Sequence, residues 1–206
     1  MFQTERKGKR MLKMLLICLA ITSPVFADTT LNQSKVSFGN GDIDQSTFDS
    51  FYKLAVEEYN YSDFGFARDI FQAITTRTNK IGGCYFYLGK IYENVAQFKD
   101  LTLAKHFYLD AAKSNHLDIN SRQQSYLALI RLTDDAKLAI KYAKSSTAIA
   151  ESNVSKQCLI LAYQKQYDQT GDEASLEKSE IVSQALDTQY FPAVDTSVQQ
   201  VNLVKP

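Results

Sequence analysis

Apolar residues recur at helical spacing along most of the chain between residues 46 and 186, in segments separated by short polar breaks. Within each segment they return every third or fourth position, which is the spacing of one face of an α-helix. No segment shows the clear alternation of apolar and polar residues that is typical of a half-buried strand. The pattern therefore predicts an all-α chain.

Eight helices are predicted, and the breaks group them into four pairs. Their expected bounds are 46–60 and 64–76, two helices within 84–116, 121–132 and a helix after Asp134 or Asp135, and 155–167 and 173–186. Lys80-Ile81-Gly82-Gly83 is predicted to be a break between the first two pairs. Asp44 or Ser46 is expected to cap the first helix, because their side-chain oxygens accept bonds from a helix N-terminus.

A leucine followed by alanine or glycine recurs in the first helix of each predicted hairpin. The residues are Leu54-Ala55, Leu88-Gly89, Leu127-Ala128 and Leu161-Ala162, at spacings of 34, 39 and 34 residues. Repeats of this length are typical of stacked helix hairpins, none of which can bury its apolar face alone. The spacing favours a solenoid of four hairpins over a helical bundle without repeats. On the last helix, the predicted apolar positions are Ala174, Leu176, Ile181, Val182 and Ala185.

The second helix pair carries residues of a known repeat pattern. These are Leu88, Gly89, Tyr92, Ala104, Tyr108, Ala111 and Ala112. On these residues the stretch resembles a Sel1-like repeat, a relative of the tetratricopeptide repeat. Gln97-Phe98-Lys99-Asp100 stands where that family has a glycine-rich turn. The resemblance implies a right-handed α-α superhelical solenoid over residues 44–187. Beyond Asp187 the helical pattern ends, so we expect a C-terminal cap and loose tail over 188–206.

In such a solenoid the first helix of each pair lines a concave groove. Projecting the family's groove positions onto this chain selects Tyr52, Tyr59, Asn60, Phe86, Lys90, Asn94, Arg122, Lys156, Tyr163 and Tyr167. Tyrosines with scattered cations and amides suit a peptide-binding surface. Core packing is the alternative for Tyr59, Phe86 and Tyr163. Lys90 and Asn94 also resemble part of the carboxylate clamp of some tetratricopeptide proteins.

The N-terminus has the pattern of a secretory signal peptide. Five Lys and Arg residues precede the apolar run of residues 14–21, and Val25-Phe26-Ala27 offers small residues before a cleavage point. We expect cleavage after Ala27, a flexible linker over 28–43, and a periplasmic or secreted protein. The alternative is an N-terminal membrane anchor, although a run of eight residues is far below the roughly 20 needed to span a bilayer.

Charge and cysteine content narrow the class of partner. The formal net charge is zero, and removal of residues 1–27 leaves −4, so nucleic acid is not expected as a partner. Cys84 and Cys158 remain, and we expect two buried free thiols because two stacked repeats separate them; a disulfide is the alternative. The protein is expected to be a monomer that has no membrane span after cleavage.

The sequence offers no catalytic set, metal site or cofactor motif. No nucleophile or phosphate-loop pattern is present, and His106 and His116 lack ligand spacing. Asn40, Asp42 and Asp44 lack the glycine and glutamate of a calcium loop. The acidic pairs 57–58 and 134–135 are expected to be solvated. We therefore expect a non-catalytic exported scaffold for protein–protein interaction in the bacterial periplasm or cell envelope. The alternatives are a cell-wall- or β-lactam-active hydrolase and a self-assembling structural envelope protein.

Overall fold

The structure is a computed structural model that describes residues 44–78 and 81–190. The predicted signal peptide, its cleavage after Ala27, the linker and the positions Asn40 and Asp42 lie outside the described residues. Residues 191–206 of the predicted tail also lie outside them.

The described part of the chain contains eight α-helices and no strand, which confirms the all-α prediction. A short 3₁₀ helix, Ala96–Phe98, follows the third of them. No helix in this part is both long and apolar enough to cross a membrane. The helices are α1 Gln45–Asn60, α2 Phe64–Thr75, α3 Gly82–Asn94, α4 Leu101–Lys113, α5 Ile119–Leu132, α6 Ala136–Ile149, α7 Asn153–Thr170 and α8 Glu173–Tyr190.

Side-chain caps explain where several helices begin. The Asp44 carboxylate accepts the Thr47 backbone N–H at 2.9 Å and the Thr47 hydroxyl at 2.7 Å, and these bonds lower the pKa of Asp44. Asp118 accepts the Ser121 N–H at 2.9 Å, so α5 begins two residues before the predicted start. Asp135, rather than Asp134, caps α6 by accepting the Lys137 N–H at 2.8 Å.

Local signals fix both ends of α7. Ser152 and Ser155 bond each other's backbone N–H groups in a capping box, so α7 begins at Asn153. Gly171 ends α7 with φ of 67°, the left-handed conformation that glycine adopts without steric cost. These signals place α7 over 18 residues, longer than the predicted 155–167.

The predicted break at Lys80-Ile81-Gly82-Gly83 is wrong in one respect, because α3 begins at Gly82. Gly83 lies inside the helix, and its missing side chain leaves room for the Tyr52 ring. A Cβ at this position would lie 2.8 Å from two carbons of that ring. The glycine therefore permits close approach of α1 to α3 instead of terminating a helix.

The described residues divide into two compact units, one with residues 44–78, 81–107 and 114–116 and the other with residues 108–113 and 117–190. In the first unit α1 packs on α2, and α2 packs on α3. Its core is formed by apolar residues of all three helices, and many of the partly buried residues packed against it are aromatic. The core residues are Ala55, Phe66, Ala67, Ile70, Phe71, Ile74, Ile81, Cys84, Leu88 and Ile91.

In the second unit, α5 packs on α6, α6 on α7 and α7 on α8, and α5 also packs directly against α7. The first helices of successive pairs are thus neighbours, as expected for stacked hairpins. The core at α5, α6 and α7 is built from smaller side chains than that of the first unit. Its buried residues are Ile130, Ala139, Ala143, Cys158 and Ala162.

The small residue of each repeated pair is buried. Ala55 and Ala162 are 0% exposed and Ala128 is 2% exposed, and Gly89 is also buried. A small side chain at these points lets the next helix approach closely. The leucines vary more, since only Leu88 is fully buried.

The predicted apolar face of the last helix is wrong in part. Among residues 173–186 of α8, Ser175 and Ser179 are buried and Leu176 and Val182 are half-buried, whereas Ile181 is 58% exposed, and Ala174 and Ala185 are also exposed. Small hydroxyl side chains fit the close contact with α7, and both hydroxyls have acceptors. Ser179 donates to the Ile160 carbonyl at 3.4 Å, and Ser175 donates to the Asp172 carboxylate at 2.7 Å.

The expectation that both acidic pairs are solvated holds for one pair only. Asp134 and Asp135 are exposed, but Glu58 is buried at 6% exposure beside the exposed Glu57. Position 58 lies close to the buried face of α1 marked by Ala55, three residues earlier, and this placement is why the residue leaves solvent.

Candidate functional site

Four aromatic rings meet in the first unit, with Tyr87 at their centre. The Tyr87 ring stacks on Phe71 with centroids 5.1 Å apart. It meets Tyr59 edge-on at 5.0 Å and Tyr52 edge-on at 6.3 Å. These are favourable aromatic geometries, and each pair contributes about 0.5–1.5 kcal/mol beyond burial. The cluster joins α1, α2 and α3 into one rigid surface.

Lys90 places its ammonium over this cluster. Its Nζ lies 4.8 Å from the Tyr59 ring centroid, 5.3 Å from that of Tyr87 and 5.4 Å from that of Phe86. Phe86 and Tyr87 precede Lys90 by one helical turn, so the lysine side chain folds back over them along α3. The three ring faces attract the cation by about 0.5–1 kcal/mol each where it is solvated. We call Tyr59, Phe86, Tyr87 and Lys90 the Lys90 aromatic site.

The Lys90 aromatic site is half-buried, and all four of its residues keep part of their surface exposed. The rings restrict the lysine to one region of the surface, so less side-chain entropy remains to be lost when an acceptor binds. An ammonium donates up to three hydrogen bonds and accepts none. The site is therefore suited to a carboxylate or a backbone carbonyl lying flat against tyrosine rings.

The other groove residues predicted in the first unit have different surroundings. Tyr52 stacks on Phe48 at 5.7 Å and packs against the core beside Gly83. Asn94 donates from its side-chain amide to the Lys90 carbonyl at 3.0 Å, which turns the amide back onto its own helix. The Lys90 and Asn94 side chains therefore do not form a joint clamp in this conformation. Asn60 is exposed at the end of α1.

Sequence reasoning missed Tyr87. Phe86 and Tyr87 are adjacent, and projection onto the family's groove positions selects only one residue of such a pair. The available signal was the spacing of three residues between Tyr87 and Lys90, which places a ring under a lysine on any helix.

In the second unit, the predicted groove residues of α7 share one helix face. Lys156, Tyr163 and Tyr167 are separated by seven and four residues, which brings them close to one line along the helix. Lys156 Nζ lies 4.0 Å from Glu151, and Lys178 Nζ lies 5.9 Å from the Tyr163 ring centroid. Tyr167 is 36% exposed. Arg122 is used structurally, because its Nε donates to the Ala112 carbonyl at 3.2 Å.

A buried glutamine that the sequence did not indicate joins three helices of this unit. Gln123, on α5, is 1% exposed. Its amide nitrogen donates to the Ser146 carbonyl at 3.0 Å and to the Ala150 carbonyl at 2.6 Å, and its amide oxygen accepts the Ser152 hydroxyl at 2.6 Å. Gln123 thus supplies hydrogen-bond partners both to carbonyl groups at the end of α6 and to the residue that caps α7. This role is structural.

Cys84 and Cys158 are buried free thiols, as predicted. Burial raises the pKa of Cys84 to about 12. Burial also raises the pKa of Cys158 to about 11. The Ser146 hydroxyl and the positive charge of Arg131 act in the opposite direction and lower this pKa, but burial has the larger effect. Both thiols are therefore protonated at neutral pH and lack the thiolate character of a reactive cysteine.

The remaining candidates for chemistry are dispersed. His106 and His116 are both exposed. In residues 44–78 and 81–190, no three His, Cys, Asp or Glu side chains lie close enough together to hold a metal ion.

We compared the chain with known protein families, curated proteins and solved structures. No protein-family model matches this chain, and no curated protein or solved structure matches it either. The resemblance of residues 88–112 to a Sel1-like repeat therefore stays a prediction from those residues.

Proposed function

We propose that this protein is an exported, non-catalytic repeat scaffold that binds a peptide or protein partner in the periplasm or cell envelope. Its helix pairs would form a right-handed Sel1- or tetratricopeptide-like solenoid with the partner along its first helices. Support comes from the 34- and 39-residue spacing of buried small residues. It also comes from the packing of α1 on α2 and α2 on α3 in the first unit, and of α5 on α6, α6 on α7 and α7 on α8 in the second. The signal-peptide pattern of residues 1–27 supports export.

The observation that carries the proposal is the Lys90 aromatic site. A lysine held over three partly exposed rings supplies both parts of a peptide contact: apolar area from rigid side chains and a directed donor for a carbonyl or carboxylate. Tyrosine, which supplies two of the three rings, is also among the residues enriched at binding hot spots. On α7, the face with Lys156, Tyr163 and Tyr167 has the same composition and is the second contact region that we propose.

The test uses the purified chain to select binders from a library of displayed random peptides. Lys90→Met keeps most of the hydrocarbon stem over the rings and removes the donor. We expect selected peptides to bind this variant at least about tenfold more weakly, the loss expected for one charged hydrogen bond at an interface. Lys53→Met is the matched control, because Lys53 is an exposed lysine of α1 outside the site.

Thermal unfolding followed by circular dichroism would show that both variants keep the fold. Failure to select any peptide, or equal binding to the wild type and Lys90→Met, would overturn the proposal. Equal weakening by Lys53→Met would show that net charge, rather than the Lys90 aromatic site, causes the effect.

A further inference from the structure

One face of α6 carries a row of lysines. Lys137, Lys141 and Lys144 are all exposed and are spaced by four and three residues, so they align within about one helix face. Together with Ile140, Ser145 and Ala148 they line one shallow surface depression of about 460 Å³. The 14 residues of α6 include no acidic side chain. We call Lys137, Lys141 and Lys144 the lysine row.

A row of opposite charge lies on α8. Glu173, Glu177 and Glu180 are exposed and have the same spacing of four and then three residues. Lys178 lies on another face of this helix, since its ammonium is directed to the Tyr163 ring. We call the three acidic residues the glutamate row.

Neither row is neutralised within the unit. Within the described ranges no ion pair within 4.0 Å involves any of the six residues, although α6 and α8 both pack against α7. Like charges one turn apart on a helix repel each other and destabilise it slightly. Each row is thus a surface on which opposite charge from outside would be favourable.

We propose that the lysine row of one copy of this chain binds the glutamate row of a second copy. With the two helices parallel, Lys137 faces Glu173, Lys141 faces Glu177, and Lys144 faces Glu180, because the two spacings are identical. The two surfaces differ, so the contact is head-to-tail, and it extends into a chain of copies unless the geometry closes a ring. This inference goes beyond the proposed function and replaces the monomer expected from the sequence.

The composition of α6 favours this occupant over an anionic membrane. Helices that bind a membrane surface carry large apolar side chains beside their cations. The lysine row has only Ile140, which is half-buried, and Ala148 beside it. A second copy, in contrast, presents three carboxylates at matching spacing. Exposed ion pairs are individually weak, so we expect a weak association that becomes visible only at high protein concentration.

Sedimentation velocity of the purified chain across a concentration series would test the proposal. In about 50 mM salt, the sedimentation coefficient is expected to rise with concentration. In 1 M salt, where the Debye length is about 3 Å, the rise is expected to disappear. Two triple variants reverse the rows, K137E/K141E/K144E and E173K/E177K/E180K, and each is expected to sediment as a monomer by itself.

An equimolar mixture of the two variants restores opposite charges across both contacts, so association is expected to return. The control is K99E/K105E/K113E, which makes the same change of net charge at three other exposed lysines and is expected to associate like the wild type. Lys90→Met is also expected to associate normally, which separates this inference from the proposed function.

Three results would overturn the inference. One is a wild-type sedimentation coefficient that is independent of concentration. Another is a mixture of folded variants that stays monomeric. The third is loss of binding to phosphatidylglycerol vesicles by the lysine-row variant while self-association is unchanged, which would identify a membrane as the partner.

Discussion

At the scale of single residues, Gly83 and Gly65 differ in the space that a larger side chain would find. Each is the second residue of its helix, Gly83 in α3 and Gly65 in α2. A Cβ at Gly65 would meet only a ring carbon of Phe98, at an ordinary distance of 3.6 Å. A Cβ at Gly83 would overlap the Tyr52 ring. That ring is held by Phe48, Phe71 and Tyr87 and has little freedom to move.

Gly83→Ala is therefore expected to lower the free energy of unfolding by about 1–3 kcal/mol, the usual cost of overpacking a well-filled core. Gly65→Ala is expected to leave it unchanged or raise it by up to about 1 kcal/mol, because alanine is the better helix former. Urea denaturation of both variants would measure the difference. Equal effects of the two substitutions would contradict the close contact between Tyr52 and α3.

At the scale of helices, polar side chains of α5 and α7 position the neighbouring turns. Gln123 bonds the end of α6 and the cap of α7. Lys165 donates to the Thr133 carbonyl at 2.8 Å, and Gln169 accepts the Ala136 N–H at 3.1 Å. The first helices of these pairs thus carry the hydrogen bonds that hold the second helix, α6, at both its ends.

Gln123→Ala is expected to lower the free energy of unfolding by about 2–4 kcal/mol, since it leaves buried acceptors without donors and creates a void. The matched control is Gln124→Ala at the adjacent position, which is half-exposed and is expected to change stability by less than about 0.5 kcal/mol. Chemical denaturation of the two variants would measure both free energies of unfolding. Similar losses for both would mean that helix propensity, rather than the hydrogen bonds, dominates.

At the scale of the whole molecule, the repeat makes a prediction that a bundle without repeats does not. Ala128 in α5 and Ala162 in α7 are the repeated small residues that the spacing predicts to be equivalent, at 2% and 0% exposure. Leucine at either position is expected to lower the melting temperature by a similar amount, with a loss of about 1–3 kcal/mol in each case. Ala148→Leu, at an exposed position of α6, is the control and is expected to be nearly neutral.

Calorimetric melting of the three variants would provide this comparison. If Ala128→Leu is neutral while Ala162→Leu is severe, the two helices do not use their repeated residues in the same way. The equivalence predicted from the sequence spacing would then fail.

The sequence by itself determined the helices and most of their ends. Apolar spacing and capping residues such as Asp44 and Asp135 act locally, within one or two turns, so they can be read without knowledge of distant contacts. The repeat spacing further predicted Ala55, Gly89, Ala128 and Ala162 as equivalent small positions, and all four are buried in the structure.

Only the tertiary structure decided which polar and aromatic groups meet. Tyr87 became the centre of the aromatic cluster, and Gln123 became a buried junction, through contacts with residues on other helices. Ser175 and Ser179 replaced Ile181 on the inner face of α8 because the close approach of α7 selects small side chains whose hydroxyls find local acceptors. Hydrophobicity along one helix has no information on the shape of its neighbour, and that shape fixed the Lys90 aromatic site.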